Sequence, residues 1–328
     1  MDPLLVRGLP GDGPVDVAPL ASAEAGAFAA MTFPIYRSLL DLEPAVVYPA
    51  DGDERRVRPV AFAARLDGRP AGLALAGVAE DDTASPELLS IFVGSAFRRH
   101  GVGRALLEAV QEDLGSRGHR RLGGVYMTSL RGVEALEAFL SRVGWHPPRP
   151  RMVVVKFTVD EAKTVRWYRT YRMRDGLELI PWRDVSAAEI GELRTSQAAA
   201  PWIPGDLVPW RHDPARLETE SSIAARLDGR LVGWVINHRI DDDLVRFTSA
   251  FIRDDLARRG RLVPMFSESI RRLDATPYRR CMFTTPVHHR EMVAFIKRRC
   301  ERWVTFVGET RGAWIDLRPP SEPTRGAR

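Results

Sequence analysis

The hexapeptide Ala64-Arg65-Leu66-Asp67-Gly68-Arg69 returns unchanged as Ala225-Arg226-Leu227-Asp228-Gly229-Arg230. Each copy runs on to a glycine, Gly72 or Gly233, and then to an apolar strand-like stretch. Asp-Gly between alternating apolar runs signals a tight hairpin. Three further matches follow in the same order. Phe92-Val93 with Arg98-Arg99-x-Gly101 is echoed by Phe251-Ile252 with Arg258-Arg259-Gly260. Ala138-Phe139-Leu140-x-Arg142 is echoed by Ala294-Phe295-Ile296-x-Arg298. Val153-Val154-Val155-Lys156-Phe157 finds a partner near Ala313-Trp314-Ile315-Asp316-Leu317. All four recur at offsets of about 160 residues, as expected of one domain duplicated in tandem.

Each half therefore reads as strand, helices, hairpin, long strand, helix, strand, helix, strand. In the first half, residues 15–20 open the domain and helices surround Phe28 and Leu40. The Asp-Gly hairpin follows, then a strand over residues 87–93. Residues 102–114 carry apolar side chains at Val102, Ala105, Leu106, Ala109, Val110 and Leu114, which is helical spacing, and Gly115 and Gly118 end the run. Val133, Leu136, Phe139, Leu140 and Val143 share one face of a second helix. Residues 152–159 supply the last strand of half one, and the Ala313–Leu317 run that of half two. The fold class is α+β, with residues 1–160 as the first domain, 161–175 as linker, 176–318 as the second domain and 319–328 as a flexible tail. Trp167 and Tyr168 in the linker are expected to pack between the halves.

The chemistry concentrates where the 87–93 strand meets its helix. Ile91, Phe92 and Val93 lead into Arg98-Arg99-His100-Gly101-Val102-Gly103-Arg104. First-turn amides of a helix lack internal partners, and the helix dipole places partial positive charge there. Glycines at 101 and 103 let a phosphate approach the backbone, and Arg98, Arg99 and Arg104 add full charges. A Walker A loop would require Lys-Ser/Thr after its last glycine, and a dinucleotide fingerprint would require Gly-x-Gly-x-x-Gly; neither is present.

Arg98-x-x-Gly101-x-Gly103 between an apolar strand and an Ala-Leu-Leu helix closely resembles the pyrophosphate motif of the GNAT superfamily of acyl-CoA-dependent N-acyltransferases. The resemblance implies two tandem GNAT-like domains, each a mixed, mostly antiparallel sheet flanked by helices. It also implies that the sheet splays beside the cradle strand to admit pantetheine, and that Ile91, Phe92, Val93 and Arg98 through Arg104 contact the cofactor. It further implies acetyl-CoA as acyl donor and an amine as acceptor. A backbone amide in residues 90–93 would polarise the thioester carbonyl. A glutamate on that strand is a frequent general base. Glu87 occupies the strand start, and alternation puts it on the face of Leu89 and Ile91; an ordinary solvent-facing acid is the alternative. Asp81 and Asp82 are weaker candidates. The family's proton-donating tyrosine stands four residues before a Gly-aromatic pair. The pair is Gly144-Trp145, but the position is Leu140, with Ile296 at the matching place in half two. Tyr126 and Ser129 are the nearby substitutes.

The second copy departs from this pattern. Ala257 replaces the leading arginine, Leu262 the second glycine, and Pro264 removes an amide. Half two is expected to have lost productive cofactor binding and to serve as scaffold, acceptor wall or homodimer surface. Other features exclude rival classes. No apolar run approaches the ~20 residues of a membrane span, and the N-terminus lacks a signal-peptide pattern. The formal charge is +5, all of the excess lying in residues 171–328, and its arginine clusters read as solvated helix faces rather than a nucleic-acid stripe. Cys281 and Cys300 form no Cys-x-x-Cys pair, and His288-His289 lacks metal-ligand spacing to another His or Cys, so no metal is expected. Trp202, Trp210 and the neighbouring prolines suggest a structured loop over half two. The resulting expectation is a cytoplasmic N-acetyltransferase acting on a small-molecule amine. A non-catalytic acyl-CoA-binding protein is the principal alternative, and a nucleic-acid-associated protein the third.

Overall fold

The computed structural model describes residues 14–47, 55–80, 84–170, 173, 176–211 and 214–318. In chain order its strands are β1 (Asp16–Pro19), β2 (Ala45–Val47), β3 (Arg55–Leu66), β4 (Arg69–Ala79), β5 (Glu87–Val93), β6 (Arg121–Met127), β7 (Arg149–Thr158), β8 (Glu178–Pro181), β9 (Ile223–Leu227), β10 (Arg230–Arg239), β11 (Leu244–Ile252), β12 (Arg280–Pro286) and β13 (Phe306–Asp316). The α-helices are α1 (Ala25–Phe28), α2 (Val102–Ser116), α3 (Val133–Arg142), α4 (Val159–Thr164), α5 (Arg166–Thr170), α6 (Ala187–Ala199), α7 (Asp254–Ala257), α8 (Leu262–Leu273) and α9 (Arg290–Phe295). The chain forms two compact units, residues 1–151 with 309–328, and residues 152–308.

In the first unit the sheet runs β1-β3-β4-β5-β6-β13, with β2 also on β3. Every pairing is antiparallel except β5 with β6. The Asp67-Gly68 turn between β3 and β4 has φ of +51° and +70°, the left-handed pair that a two-residue hairpin demands. β4 is buried along most of its length because both sheet faces are covered, so it reads as an almost unbroken apolar run. On one face, Val102, Leu106, Val110 and Leu114 of α2 and Leu140 of α3 pack on Ala64, Ala74, Ala76 and Leu88. On the other, Phe28, Tyr36, Leu39 and Leu40 cover Leu73, Leu75 and Leu89. Each such fully buried leucine contributes about 1.5–3 kcal/mol. The segment around Leu40 is a 3-10 stretch, Pro34–Asp41, rather than an α-helix, and α1 is a single turn ending at Phe28.

The second unit repeats the plan as β8-β9-β10-β11-β12-β7, again antiparallel except for one pair, β11 with β12. Asp228-Gly229 repeats the left-handed hairpin turn at +52° and +75°. The duplication reaches the backbone irregularities. A register shift falls between Leu75 and Ala76 on β4 and between Ile236 and Asn237 on β10. A Cβ added to Gly72 would lie 2.7 Å from Phe92 O, and one added to Gly233 would lie 2.7 Å from Phe251 O. Both glycines therefore serve a close approach of neighbouring strands.

The last strand of each unit differs from the sequence expectation. Residues 152–158 pair with β12 in the second unit, and residues 310–316 pair with β6 in the first. The domain division at 160/176 gives way accordingly, because an alternating apolar run specifies a strand and a face but not the sheet that receives it. The linker segment also belongs to the second unit. There α4 begins with a Thr158–Glu161 capping box, Trp167 packs edge-on against Trp303 at 5.8 Å, and Arg271 sits 5.2 Å over Tyr168. The expected flexible tail, 319–328, lies outside the described residues.

Candidate active site

In the first unit β5 and β6 share one ladder pair, Glu87 with Gly123, and then part. The antiparallel bond from Gly94 N–H to Ala71 O (2.9 Å) fixes the phase of β5 against β4. Alternation then turns the N–H groups of Ile91 and Val93 toward the β6 side, where the ladder gives no partner. Along the opening, the sheet thus exposes backbone donors to whatever lies between the two strands.

The cradle lies at the same end. After a 3-10 turn, Ser95–Phe97, the chain passes through Arg99 at φ +73° and Gly101 at φ +80° into α2. The first amide to return into the helix is Ala105 N–H, to Gly101 O at 3.0 Å. Val102, Gly103 and Arg104 precede it, and Gly101 as N-cap offers them no side-chain acceptor. A Cβ on Gly101 would meet nothing within 4 Å, so its missing side chain leaves open space at the cradle mouth. Arg98, Arg99, His100 and Arg104 are exposed around it, with Arg98 Nε donating to Val93 O at 3.2 Å. Val102 instead sends its side chain into the core and contributes only its amide. Three free donors, the positive helix end and nearby guanidinium groups suit a diphosphate.

Glu87 reaches the opposite sheet face. There Val47, Arg55, Val57, Gly77, Ala79 and Leu89 line a shallow pocket with it, and Arg55 Nη1 lies 3.0 Å from Glu87 Oε2. Leu89 shares that face, but Ile91 does not and packs with Val93 against the α2 side. The cause is the bulge: Leu75 faces Ser90 and Ala76 faces Leu88, which leaves Leu89 as the extra residue and inverts the alternation beyond it. Phe92 is exposed on the Glu87 side. Asp81 and Asp82 lie outside the described residues.

Tyr126 is buried on β6, and its hydroxyl donates to Glu137 Oε1 at 2.9 Å. Burial first, and then the Glu137 carboxylate, push its pKa well above the ordinary tyrosine value. Glu137 is also gripped by Arg311 Nη1 at 3.0 and 3.3 Å, and Arg311 reaches Glu309 at 3.2 Å. Leu140 is 4 % exposed within the core, so this position presents no polar group to the opening. The second unit lacks the cradle. Gly260 keeps its left-handed turn at φ +71°, but α8 opens Leu262-Val263-Pro264, so proline stands where the third free amide would be.

The comparisons agree with this anatomy. Residues 30–139 match the acetyltransferase (GNAT) family. That match lies within the first unit. Among solved structures, a tandem GNAT protein from the clavulanic acid biosynthesis pathway has 14 % identity and a TM-score of 0.59, over 94 % of this chain and 100 % of that one. A GCN5-related glucosamine N-acetyltransferase region of a fungal multi-domain GH3 β-N-acetylglucosaminidase gives 14 % and 0.63, over 92 % of this chain and 38 % of that one. A GCN5-related N-acetyltransferase from Sphaerobacter thermophilus gives 15 % and 0.52, over 96 % and 99 %. No curated protein matches the chain in sequence. These likenesses, which span both units, show a tandem GNAT fold, and the family match of the first unit supports acyl transfer from an acyl-CoA. No helix among the described residues is long and apolar enough to cross a membrane.

The second unit brings together residues that sequence spacing kept apart. His289 Nε2 lies 2.8 Å from Asp206 Oδ2, 83 positions away in the chain. Cys281 and Cys300 are buried free thiols, each pushed up to about 12 by burial.

Proposed function

We propose that the GNAT domain transfers an acetyl group from acetyl-CoA to a primary amine of a small molecule, and that it alone binds the donor. The observation that carries this is the cradle: three consecutive helix amides without internal acceptors, behind a left-handed glycine, beside parted strands. Val102, Gly103 and Arg104 would hold the diphosphate through their amides, with Arg98, Arg99, His100 and Arg104 supplying charge or hydrogen bonds. Ile91 or Val93 N–H would bind the thioester oxygen as negative charge develops on it. Transfer forms an amide C–N bond and breaks the thioester C–S bond. The amine must lose a proton, and the departing thiolate gains one.

Glu87 is the candidate acceptor of the amine's proton. It faces a pocket on the side of the strand that also presents Phe92, and the guanidinium of Arg55 fixes its carboxylate. Uptake of a proton there requires the carboxylate to share or release that partner. Phe33, Ile35, Leu42, Val46 and Phe92 are the exposed large apolar side chains among the described residues, and all belong to this unit. They favour an acceptor with an apolar body. Tyr126 is the candidate proton donor to the thiolate. Its hydroxyl proton points at Glu137, so donation would require the hydroxyl to turn away from that carboxylate.

That engagement, with Leu140 buried, is the observation favouring the second reading, an acyl-CoA-binding protein without turnover. Calorimetry with acetyl-CoA, followed by a coupled thiol-release assay over a panel of primary amines, separates the two. Binding of one equivalent with amine-dependent release of thiol supports the transferase. Binding without release across the panel supports the binding protein, and no binding refutes both.

A further inference from the structure

The second unit parts its parallel strands as the first does, but puts different chemistry at the opening. β11 and β12 pair from Leu244 with Arg280 to Phe247 with Phe283, and no further pair follows. β12 ends at Pro286, and His288 and His289 occupy the short passage into α9. From the β11 side comes the loop after α6. Gln197 clamps its start through Trp202 N, Ile203 N and Ile203 O at 2.8–2.9 Å. Leu207 O then accepts from Trp234 Nε1 at 3.1 Å and from Ser249 Oγ at 2.9 Å. Asp206, adjacent to that anchor, is thereby fixed against β10 and β11, and its carboxylate reaches across to His289. The rings of His288 and His289 lie 4.5 Å apart, and one ligand atom from each of Asp206, His288 and His289 falls within 4.8 Å of the others. Among the described residues this is the one cluster of its kind.

We propose that Asp206, His288 and His289 form a divalent transition-metal site bridging the open end of the second unit. Two imidazole nitrogens and one carboxylate oxygen, with no thiolate, suit Zn²⁺ and its spectroscopic substitute Co²⁺, and leave one coordination position for water. Ligand bonds of about 2.0–2.1 Å in a tetrahedron set the donor atoms about 3.3 Å apart. The His289–Asp206 pair at 2.8 Å therefore opens by about half an ångström, and the wider separations close by up to about 1.5 Å. Side-chain rotation at these partly exposed positions suffices, since His289 and Asp206 keep 23 % and 34 % of their side-chain surface accessible. The site ties the loop after α6 to the end of β12.

The test is a Co²⁺ titration of the full-length, untagged chain, read by visible d–d absorption and followed by displacement with Zn²⁺. One saturating equivalent is expected. Asp206→Asn and His288→Ala should each weaken it by about 10-fold or more. Asp206→Asn is nearly isosteric and preserves a hydrogen-bonding group toward His289, so its fold is checked against wild type by circular dichroism. As a second measurement, Zn²⁺ should raise the thermal midpoint of wild type and leave that of Asp206→Asn unmoved. Absence of a saturable band overturns the proposal. So does wild-type affinity in both variants, which would mark ordinary surface-histidine binding.

Discussion

Replacing Gly101 by alanine separates the cradle's two demands, a backbone shape and an empty mouth. At φ +80° an L-residue is strained by about 1–2 kcal/mol, and because the new Cβ meets no protein atom within 4 Å, packing adds nothing. Two other glycines provide controls with the same strain and the same open surroundings: Gly132, the N-cap of α3 at φ +85°, and Gly260, the second-unit counterpart at φ +71°. All three variants should lose similar stability by chemical denaturation. Only Gly101→Ala should lose coenzyme A. Either its Cβ stands where a phosphate oxygen must approach, or the turn relaxes and carries the Val102–Arg104 amides away. Loss of one or two charge-assisted hydrogen bonds, each about 1.5–3 kcal/mol, gives an affinity drop on the order of 100-fold. Isothermal titration with coenzyme A measures it. If Gly101→Ala binds within about threefold of both controls, the diphosphate does not sit at the start of α2.

Glu87→Gln should lower kcat by about 10²-fold or more, most strongly at low pH where neutral amine is scarce, while coenzyme A affinity stays put; unchanged turnover in the steady-state assay removes it from the base role. The hydrogen bond from Arg226, with help from the Ser186 cap, holds Glu189 down at about 2. A depressed carboxylate contributes stability that is present above its unfolded value and lost as pH falls toward the folded one. Unfolding free energy should therefore decline by about 1 kcal/mol between pH 4.5 and 2 on account of this pair, and Glu189→Gln should flatten that slope in acid denaturation curves. Burial should leave Cys281 and Cys300 silent to a thiol reagent at neutral pH until denaturant is added; labelling of the native chain would contradict their placement.

The resemblance of Arg98-x-x-Gly101-x-Gly103 to a family motif carried the identification further than any other feature, and the reason is local. A helix start with orphan amides is built from consecutive residues, so its glycines and arginines stand side by side in the chain. The Asp-Gly hairpins were equally legible, since a two-residue turn prescribes its own left-handed dihedrals. The start of β5 at Glu87 is legible in the chain, but the relation of Glu87 to Ile91 is not, because one bulge residue at Leu89 reverses the alternation and depends on pairing with β4. Tyr126 could be named as a candidate. Its partner Glu137 is eleven positions away on α3, and the Arg311 that secures that glutamate comes from the far end of the chain.

Sequence by itself determined that one α+β plan is used twice, where its hairpins turn, and which copy keeps two glycines at its helix start. Each of these is written in periodicity, glycine position or a motif confined to a few adjacent residues. Only tertiary structure decided which sheet receives residues 152–158 and which receives 310–316, because a strand's apolar alternation fixes the face it buries and leaves its neighbour open. It alone also brought Asp206 to His289, across 83 positions, since no local pattern encodes where a loop anchored on Trp234 and Ser249 will deliver its carboxylate.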